Sequence, residues 1–368
     1  MGRGPFGIGD ELGPEKIIVV RQPRVGLEGV VVVDNVACGP AIGGVRMAPD
    51  VTVDEVFRLA RAMTFKNAAA GLPHGGGKSG IRADPAGPAG PKEEIVRAFA
   101  RAIRDVHDYI PGPDMGTNER CMAWVRDEIG RAVGLPRVVG GIPLDEIGAT
   151  GFGLAIAAEV AASEIKLSLD GARVVVEGFG AVGRHAARFL AQRGARLVAA
   201  CDSRGATLNP DGLDVAALTD HARPGSSVGA YPGGRAIGRE DLVAVECEIW
   251  IPAARPDTLT LERARRLRTK LVLQGANIPA TDEAEAEMHA RGILSLPDFV
   301  VNSGGVICAA VEYHGGTQAH AFATIEEKIR ANTAETIERA RLGALLPRQA
   351  AIQMARSRVI EAMGYGRR

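Results

Sequence analysis

Two lysines and one aspartate lie in segments whose residue types are typical of acid–base catalysis. Lys78 follows three consecutive glycines, Lys66 is placed at the predicted end of a helix, and Asp114 lies between a Pro/Gly turn and a predicted helix start. Burial disfavours the charged form of a lysine and lowers its pKa, so that a buried lysine can act as a base near neutral pH. The segments therefore predict proton transfer on a small substrate. Two solvated surface lysines remain the alternative from these residues alone.

The glycines before Lys78 do not form a phosphate-binding P-loop. The motif GxxxxGK[ST] would need a glycine five residues before Gly77, where the chain has Leu72. We therefore expect this glycine-rich segment to be a loop, a flexible backbone wrapped against a small substrate. A second loop is expected in GPAIGGVR, which ends at Arg46.

A dinucleotide-binding turn is predicted in the stretch VVVEGFGAVG, which carries GxGxxG at Gly178, Gly180 and Gly183. The motif follows a Val-rich strand and opens a helix, which is the context it requires. The first glycine allows a tight turn, the second lets the backbone approach a pyrophosphate, and the third allows close packing of the helix on the strand. Backbone N–H groups at the helix start, including those of Ala181 and Val182, would then face the phosphates.

The coenzyme is predicted from Asp202, which ends the following strand at about the spacing of a ribose-binding carboxylate. Its negative charge would repel a 2′-phosphate, so NAD is expected. NADP is the alternative, because Ser203 and Arg204 could accommodate that phosphate. A helix cap or a turn remains the other role for Asp202.

The chain is long enough for two domains, and its element pattern changes near residues 138–151. Strands and helices predicted before that stretch cover residues 16–22, 29–35, 54–70, 93–108 and 117–133, the last with Thr117 as its N-cap. Those predicted after it cover residues 152–162, 173–177, 181–193, 196–202, 248–252, 270–274, 292–296, 324–342 and 348–362. The strand–helix alternation of the second part predicts a parallel sheet covered on both faces.

We therefore expect an α/β protein of two domains. The first domain is predicted over residues 1–140 and is completed by residues 335–368. A Rossmann-type doubly wound dinucleotide-binding domain is predicted over residues 141–334.

Composition excludes several other classes of function. The 44 basic and 44 acidic residues cancel and aromatic residues make up only 4 %, so that no nucleic-acid or membrane partner is expected. No apolar run reaches the length of a membrane span, and we expect no signal peptide. The five cysteines are scattered without a CxxC pair, so we expect no metal site, no disulfide framework and a cytoplasmic location.

The stretch LPHGGGKSGIRADP, residues 72–85, resembles the signature around the catalytic lysine of the glutamate/leucine/phenylalanine/valine dehydrogenase family. Similar motifs follow that family's order along nearly the whole chain: GPAIGGVR, MTFKN, PDMGTNERCMAW, ATGFG, VEGFGAVG, QGANIP, NSGGV and LPRQAAIQMA. The resemblance implies an NAD(P)-dependent dehydrogenase that converts an L-amino acid to the 2-oxo acid and ammonia. It also implies a homo-oligomer, commonly a hexamer or octamer, whose substrate-binding and oligomerisation domain faces the Rossmann-type domain across a cleft.

The same resemblance implies roles for individual residues. Lys78 would activate the water that attacks the imine, Asp114 would shuttle protons at the α-amino group, and Lys66 would pair with the substrate α-carboxylate. The other substrate-binding candidates are Ile42, Gly43, Met63, Val306 and Ala309. The other coenzyme-binding candidates are Thr150, Ala253, Asn277 and Asn302.

Two positions depart from the glutamate-using members of that family. Those members have a lysine where this chain has Ile42 and a serine where it has Ala309, and both contact the γ-carboxylate. Because burying an unpaired carboxylate costs on the order of several kcal/mol, we predict an amino acid with an apolar side chain, such as leucine, valine or phenylalanine. Glutamate dehydrogenase is the first alternative, since Arg46 could supply a cation. A catalytically inactive homologue that acts as a regulatory subunit is the second.

Overall fold

The computed structural model describes residues 7–223 and 225–366. They form two compact units. The first unit comprises the described residues of Met1–Pro143, Val306–Ala321 and Gln353–Arg368, and the second comprises those of Leu144–Gly305 and Phe322–Ile352. The sequence predicts a substrate-binding domain over residues 1–140 and 335–368 and a dinucleotide-binding domain over residues 141–334. These assignments of function to segments remain predictions.

The first unit is built around a five-stranded sheet. Its elements in chain order are β1 (Lys16–Gln22), β2 (Leu27–Asn35), β3 (Ala41–Met47), α1 (Val53–Ala69), β4 (Gly76–Ile81), α2 (Ala89–Ala102), β5 (Tyr109–Pro113) and α3 (Glu119–Ile129). The strand order is β1-β2-β4-β3-β5. Strand β2 pairs antiparallel with β1 and β4, whereas β3 pairs parallel with β4 and β5.

Both faces of this sheet are covered, which explains the unbroken valine run in β2. Val31 and Val33 point into a core that includes Phe99 of α2 and Met122 of α3. Val30 and Val32 point to the other face, where they pack with Val56 of α1. The face that α1 covers is called the α1 face below.

The two glycine-rich segments form strands β3 and β4, so the prediction that they are loops was wrong. Glycine is a poor strand former, but its missing side chain permits unusually close contacts. A Cβ at Gly43 would lie 1.6 Å from the carbonyl oxygen of Gly77, and one at Gly76 would lie 2.0 Å from the backbone nitrogen of Thr64. Every residue of β4 is buried. The segment is therefore a central strand and not a flexible backbone.

Helix and strand limits differ from the predictions mainly in the first unit. The predicted helix over 93–108 begins earlier and ends at Ala102, and the sequence does not predict β5. The sequence of β5, YIPGP, has low strand propensity, but β5 is an edge strand, where proline is tolerated. The predicted strand over 16–22 is confirmed with the same limits as β1.

The second unit is built around a seven-stranded sheet. Its elements in chain order are α4 (Leu144–Ile147), α5 (Ala149–Glu164), β6 (Arg173–Glu177), α6 (Ala181–Ala191), β7 (Arg196–Cys201), β8 (Ala206–Leu208), α7 (Val215–His221), β9 (Arg235–Ile237), β10 (Ile249–Pro252), α8 (Leu261–Arg266), β11 (Leu271–Leu273), α9 (Asp282–Ala290), β12 (Leu294–Leu296) and α10 (Asp298–Val301). The strand order is β12-β11-β10-β6-β7-β8-β9. The first five of these strands are parallel, which confirms the predicted Rossmann-type sheet. Strands β8 and β9 extend it in antiparallel pairing.

Three helices end the described chain: α11 (Gly304–Tyr313), α12 (Gln318–Gly343) and α13 (Pro347–Tyr365). Both helices predicted here are confirmed as α12 and α13, each extending beyond its predicted limits. No helix in the described part of the chain is long and apolar enough to cross a membrane.

The close contact at Gly43 predicts a large effect of a single methyl group. Gly43→Ala is expected to lower the free energy of unfolding by about 1–3 kcal/mol or more, because β3 must move away from β4. Gly90→Ala is the matched control, since a Cβ there meets nothing within 4 Å in the first turn of α2. Its unfolding midpoint in urea should equal or slightly exceed that of the wild type. Equal midpoints for the two variants would contradict this account of the strand.

Candidate functional site

Lys78 lies at the centre of the first unit's sheet, with its side chain on the α1 face. Side chains alternate along β4, and a Cβ at Gly80 would meet Val51 and Val56 on that face, whereas Ile81 belongs to the opposite core. Only 6 % of Lys78 is exposed. Its Nζ lies 3.1 Å from Oδ2 of Asp114.

Asp114 is positioned by the tight turn that follows β5. The hydroxyl of Thr117 accepts a hydrogen bond from the Asp114 nitrogen at 3.0 Å and donates one to the Val45 carbonyl at 2.8 Å. Thr117 was predicted as the N-cap of the next helix, and this was wrong. The cap is Asn118, whose side chain accepts from the nitrogen of Cys121 at 3.1 Å. Thr117 therefore fixes the Asp114 turn against β3.

Arg46 is the second cation on Asp114. Its Nε lies 3.0 Å from the same Oδ2 atom that contacts Lys78, and its Nη1 donates to Glu55 of α1 at 2.5 Å. Burial lowers the pKa of Lys78; Asp114 acts to raise it, and the positive charge of Arg46 lowers it further. The Lys78 amine therefore loses its proton more easily than an exposed lysine does, and it lies beside a carboxylate that can exchange protons with it.

Ile42 and Gly44 lie on the same face as Lys78. Ala41, Val45 and Met47 pack into the opposite core, so the alternate residues of β3 point to the α1 face. A Cβ at Gly44 would lie 2.7 Å from Cβ of Asp114 and 3.2 Å from Nζ of Lys78, so only glycine leaves this space open. Ile42 is 3 % exposed and lies two residues before Gly44.

The remaining substrate-binding candidates lie on elements around this face. Lys66 is in the last turn of α1 and is half-buried, and Met63 lies one turn earlier. The Asn67 side chain ties that end of the helix to the residue just before β4, donating to the Gly75 carbonyl at 2.7 Å. The structure thus joins Lys78 to Asp114 by direct contact, and it places Lys66 on the helix that covers them.

Ala309 and Val306 belong to α11, within the part of that helix that the first unit contains. Glu312 holds this part in position. Its carboxylate accepts hydrogen bonds from the backbone nitrogens of Leu135 at 3.1 Å and Ile142 at 2.7 Å. Burial raises the pKa of Glu312. Ala309 is buried and Val306 is half-buried.

Sequence reasoning did not identify Glu55 or Glu312, and it did not pair Arg46 with Asp114. Neither acid lies in a motif with a distinctive spacing. The Arg46–Asp114 pair joins residues 68 positions apart. The partners of these residues can be identified only from the tertiary structure, in which distant segments lie side by side.

In the second unit the GxGxxG turn connects β6 to α6 as predicted. Gly178 has φ +99°, and a Cβ there would lie 2.7 Å from the backbone of Ala254. A Cβ at Gly183 would lie 2.0 Å from the Gly178 carbonyl oxygen, whereas one at Gly180 meets nothing within 4 Å. The turn therefore has open space at Gly180, and the first turn of α6, with Ala181 and Val182, offers free backbone donors. This cradle fits a dinucleotide pyrophosphate.

Asp202 was predicted to end the strand over 196–202, and it lies one residue beyond the end of β7. Its carboxylate already accepts several hydrogen bonds. Oδ1 accepts from the backbone nitrogens of Arg204 at 2.8 Å and Gly205 at 2.9 Å and from the Ser227 hydroxyl at 3.2 Å. Oδ2 accepts from the Val228 nitrogen at 2.9 Å. Burial acts to raise the pKa of Asp202, but these donors outweigh it and lower the pKa. Asp202 therefore stabilises two loops as an anion, which is the turn role left open above.

The other coenzyme-binding candidates lie near the carboxyl ends of β10 and β11. Ala253 follows β10, and its nitrogen donates to the backbone carbonyl of Glu177 at 2.7 Å. Nδ2 of Asn302 lies 3.2 Å from Oδ1 of Asn277 and 3.3 Å from the Gly275 carbonyl. Oδ1 of Asn302 is buried without a hydrogen-bond partner among the described residues. This unsatisfied acceptor suits a donor such as a carboxamide N–H.

Thr150 lies at the start of α5, near the Asn302 segment. A Cβ at Gly305 would lie 3.2 Å from the Thr150 hydroxyl oxygen. The carboxyl ends of β6 and β10 mark the point where the strand order changes direction, where open α/β sheets bind ligands.

Comparison with known proteins gives matches over almost the whole chain. A family model described as Glutamate/Leucine/Phenylalanine/Valine dehydrogenase matches residues 140–366, and a model of the Glu/Leu/Phe/Val dehydrogenase dimerisation domain matches residues 14–131. The glutamate dehydrogenase of Aeropyrum pernix is 38 % identical over 322 residues, which cover 82 % of this chain and 77 % of that protein. The NADP-specific glutamate dehydrogenase of Saccharolobus shibatae is 35 % identical over 322 residues, covering 82 % of this chain and 75 % of the relative.

A solved structure is similar over nearly the full length. The crystal structure of the hetero-hexameric glutamate dehydrogenase from Thermus thermophilus, in its leucine-bound form, aligns with a TM-score of 0.85 and 32 % identity. The alignment covers 96 % of this chain and 91 % of that chain.

The contacts of Lys78 predict opposite effects of two substitutions on its pKa. Arg46→Gln should raise the pKa of Lys78, because it removes a nearby positive charge and the second cation that contacts Asp114. Asp114→Asn should lower it further, because burial then acts unopposed by that carboxylate. Trace acetylation of the intact protein across a pH series, quantified for each lysine by peptide mass spectrometry, reports both shifts. Exposed Lys270 serves as the internal reference, and shifts of the same sign in both variants would disprove the charge assignment.

Proposed function

Because this chain belongs to the glutamate/leucine/phenylalanine/valine dehydrogenase family and is an NAD(P)-dependent oxidoreductase acting on CH–NH2 groups, we propose that its substrate is an L-amino acid with an apolar side chain. The observation that carries the proposal is the buried Ile42 on the same sheet face as Lys78 and Asp114. The family resemblance implies a lysine at that position in the glutamate-using members. A γ-carboxylate beside Ile42 would be unpaired, at a cost on the order of several kcal/mol.

The engagement of Arg46 supports this choice over glutamate. Its guanidinium is shared between Asp114 and Glu55. It also lies four residues from Ile42 along β3, roughly 13 Å at the rise of an extended strand. Arg46 is therefore a poor replacement for the missing lysine.

The proposed chemistry divides roles among three residues of the first unit. The coenzyme, when bound, accepts the hydride from the substrate Cα. Lys66 binds the α-carboxylate and orients the Cα–H bond. Neutral Lys78 takes a proton from the attacking water, and Asp114 carries a proton between that amine and the substrate nitrogen. The lowered pKa of Lys78 supports its role as a base near neutral pH.

Glutamate is the second candidate substrate. The relatives at 38 % and 35 % identity are both named glutamate dehydrogenases. A regulatory subunit is a third candidate, which the hetero-hexameric assembly of the similar Thermus thermophilus protein supports. Retention of Lys66, Lys78 and Asp114 argues for a catalytic chain.

A substrate panel separates these candidates. The wild type should turn over leucine, valine or phenylalanine with a kcat/KM about 100-fold above that for glutamate, and Lys78→Ala should lower the rate by about 100-fold or more. The double variant Ile42→Lys/Ala309→Ser should raise kcat/KM for glutamate at least about tenfold by restoring both polar contacts. Ile42→Leu, which keeps the pocket apolar, should leave the substrate order unchanged.

Two results would contradict the proposal. Preferential turnover of glutamate by the wild type would identify a glutamate dehydrogenase. No turnover of any amino acid with either coenzyme would identify a non-catalytic subunit.

We propose NAD as the coenzyme, with NADP as the alternative. The charged Asp202 beside the expected ribose site supports NAD, because it would repel a 2′-phosphate. A relative named NADP-specific and the nearby Arg204 support the alternative. The cytoplasm remains the proposed location, on the five free cysteines.

The coenzyme proposal predicts how the kcat/KM for NAD compares with that for NADP. The wild type should have a kcat/KM for NAD about tenfold or more above that for NADP, and Asp202→Ser should narrow this gap by removing the negative charge. The variant should also unfold at a lower temperature, since four hydrogen-bond donors lose their acceptor. A wild-type preference for NADP would refute this assignment of Asp202.

We further propose a homo-oligomer, a hexamer or octamer. The match of residues 14–131 to a dimerisation domain and the hetero-hexameric assembly named for the Thermus thermophilus protein support an oligomer, and the identity of its subunits is part of the proposal.

A further inference from the structure

Ile278 has a backbone conformation that a β-branched residue rarely adopts. It follows Asn277 in the segment between β11 and α9, and its φ of +46° lies in the left-handed region. Such a conformation is strained for isoleucine and persists only where neighbouring groups hold it. The Ile278 side chain is 53 % exposed, so packing of that side chain does not explain the conformation. The constraint must therefore act on the backbone groups of Ile278.

Two hydrogen bonds hold the backbone of Ile278. Its nitrogen donates to Oδ2 of Asp298 at 3.0 Å, and its carbonyl accepts from the Asp257 nitrogen at 2.9 Å. Asp298 is only 5 % exposed. A hydrogen bond to a carboxylate is stronger than one between neutral groups, and it gains further strength where water is largely excluded. The bond to Asp298 therefore opposes the strain at Ile278.

A buried network fixes the Asp298 carboxylate. Its other oxygen, Oδ1, accepts from Nη2 of Arg348 in the first turn of α13 at 2.8 Å. Arg348 also donates to Glu285 of α9 and to Gln274 just after β11, each at 2.8 Å. Glu285 and Gln274 are themselves buried. Asp298 cannot turn away from Ile278 without breaking its buried ion pair with Arg348, so its position is well defined.

Asp298 is linked to Asn302 as well as to Ile278. The Asp298 carbonyl accepts from the Asn302 nitrogen at 2.8 Å, across one turn of α10. The Asn302 side chain reaches the residues before Ile278, where Nδ2 lies 3.2 Å from Oδ1 of Asn277 and 3.3 Å from the Gly275 carbonyl. These acceptors fix the nitrogen end of the amide. Its oxygen end, Oδ1, is the buried atom that lacks a partner within the described chain.

We propose that Asp298 is a positioning residue for the nicotinamide end of the coenzyme. By holding Ile278 in the left-handed conformation, it keeps Asn277 against the Asn302 amide, so that Oδ1 of Asn302 stays available to the coenzyme carboxamide N–H. The proposal rests on the coenzyme-binding role predicted above for Asn302. Both oxygens of Asp298 are already bonded, so Asp298 acts through the two asparagines and not on the coenzyme itself.

The strain at Ile278 separates this role from a general structural one. Without the Asp298 carboxylate, Ile278 relaxes out of the left-handed region and moves Asn277 with it. The substitution Ile278→Gly removes the strain, because glycine adopts positive φ about as readily as negative φ. Asp298 should therefore matter to the coenzyme much less in a chain that carries Ile278→Gly.

The test is a calorimetric titration of the full-length protein with NADH and with ADP-ribose, in the absence of any amino acid. ADP-ribose is the coenzyme without its nicotinamide ring, so it cannot reach the Asn302 amide with a carboxamide. The variants are Asp298→Ala, Ile278→Gly and the double variant Ile278→Gly/Asp298→Ala, with Asn302→Ala to report the coenzyme contact itself. Asp214→Ala is the matched control, because Asp214 is another second-unit carboxylate that accepts from a backbone nitrogen, that of Ala217 at 3.0 Å.

Loss of NADH affinity without loss of ADP-ribose affinity is the expected result. Asp298→Ala and Asn302→Ala should each raise the Kd for NADH about tenfold and leave the Kd for ADP-ribose unchanged. Ile278→Gly and Asp214→Ala should stay within about twofold of the wild type for both ligands, and the double variant within about threefold.

A milder variant covers the case in which Asp298→Ala does not fold. Asp298→Asn keeps the size of the side chain but has one carbonyl oxygen for two donors, Ile278 and Arg348. It should show a smaller loss of NADH affinity, again without a loss for ADP-ribose.

Three results would overturn the proposal. One is an equal loss of NADH and ADP-ribose affinity in the Asp298 variants, and another is a loss that Ile278→Gly does not reduce. The third is unchanged NADH affinity in the Asp298 variants. If Asn302→Ala alone weakens NADH binding, the coenzyme contact stands and only the positioning role fails; if Asn302→Ala has no effect, both fail. The amino-acid panel tests the substrate preference separately.

Discussion

The contact between Lys78 and Asp114 depends on how closely β4, β3 and the end of β5 approach one another. A side chain at Gly44 would collide with Asp114 and reach Nζ of Lys78, and a side chain at Gly43 would collide with the backbone of β4. The absence of these two side chains lets a carboxylate from one strand end meet an amine from another strand. That approach buries the amine, and burial lowers its pKa. The acid–base chemistry proposed for this site is therefore a consequence of backbone packing.

In the second unit, glycines likewise permit the close backbone packing of the proposed coenzyme turn. Gly183 lets α6 pack against the Gly178 carbonyl, and Gly178 adopts a left-handed conformation close to the backbone of Ala254. Gly180, in contrast, faces open space. Gly178 and Gly183 are thus needed for protein packing, and Gly180 leaves space for the proposed pyrophosphate.

Much of the fold could be predicted from local patterns, and the errors share one cause. Strands β1 and β6 have the predicted limits, and the GxGxxG turn has the predicted context, because each depends on residues close together in sequence. The glycine-rich segments were predicted as loops because glycine has low strand propensity. They are strands because β4 is buried between β2 and β3, and the energy of that packing exceeds the local preference. Propensity is a weak guide where tertiary contacts are dense.

The sequence by itself determined the Rossmann-type sheet, the coenzyme turn and the residue types available for catalysis, since hydrophobic period and turn chemistry are local properties. Only the tertiary structure decided which of those residues meet. It gave Arg46 two carboxylate partners, Asp114 and Glu55, and it gave the oxygens of Asp202 four donors from neighbouring loops. Electrostatic pairing and burial act between atoms that are close in space. Residues far apart in the chain therefore become paired and buried only after the strands have assembled.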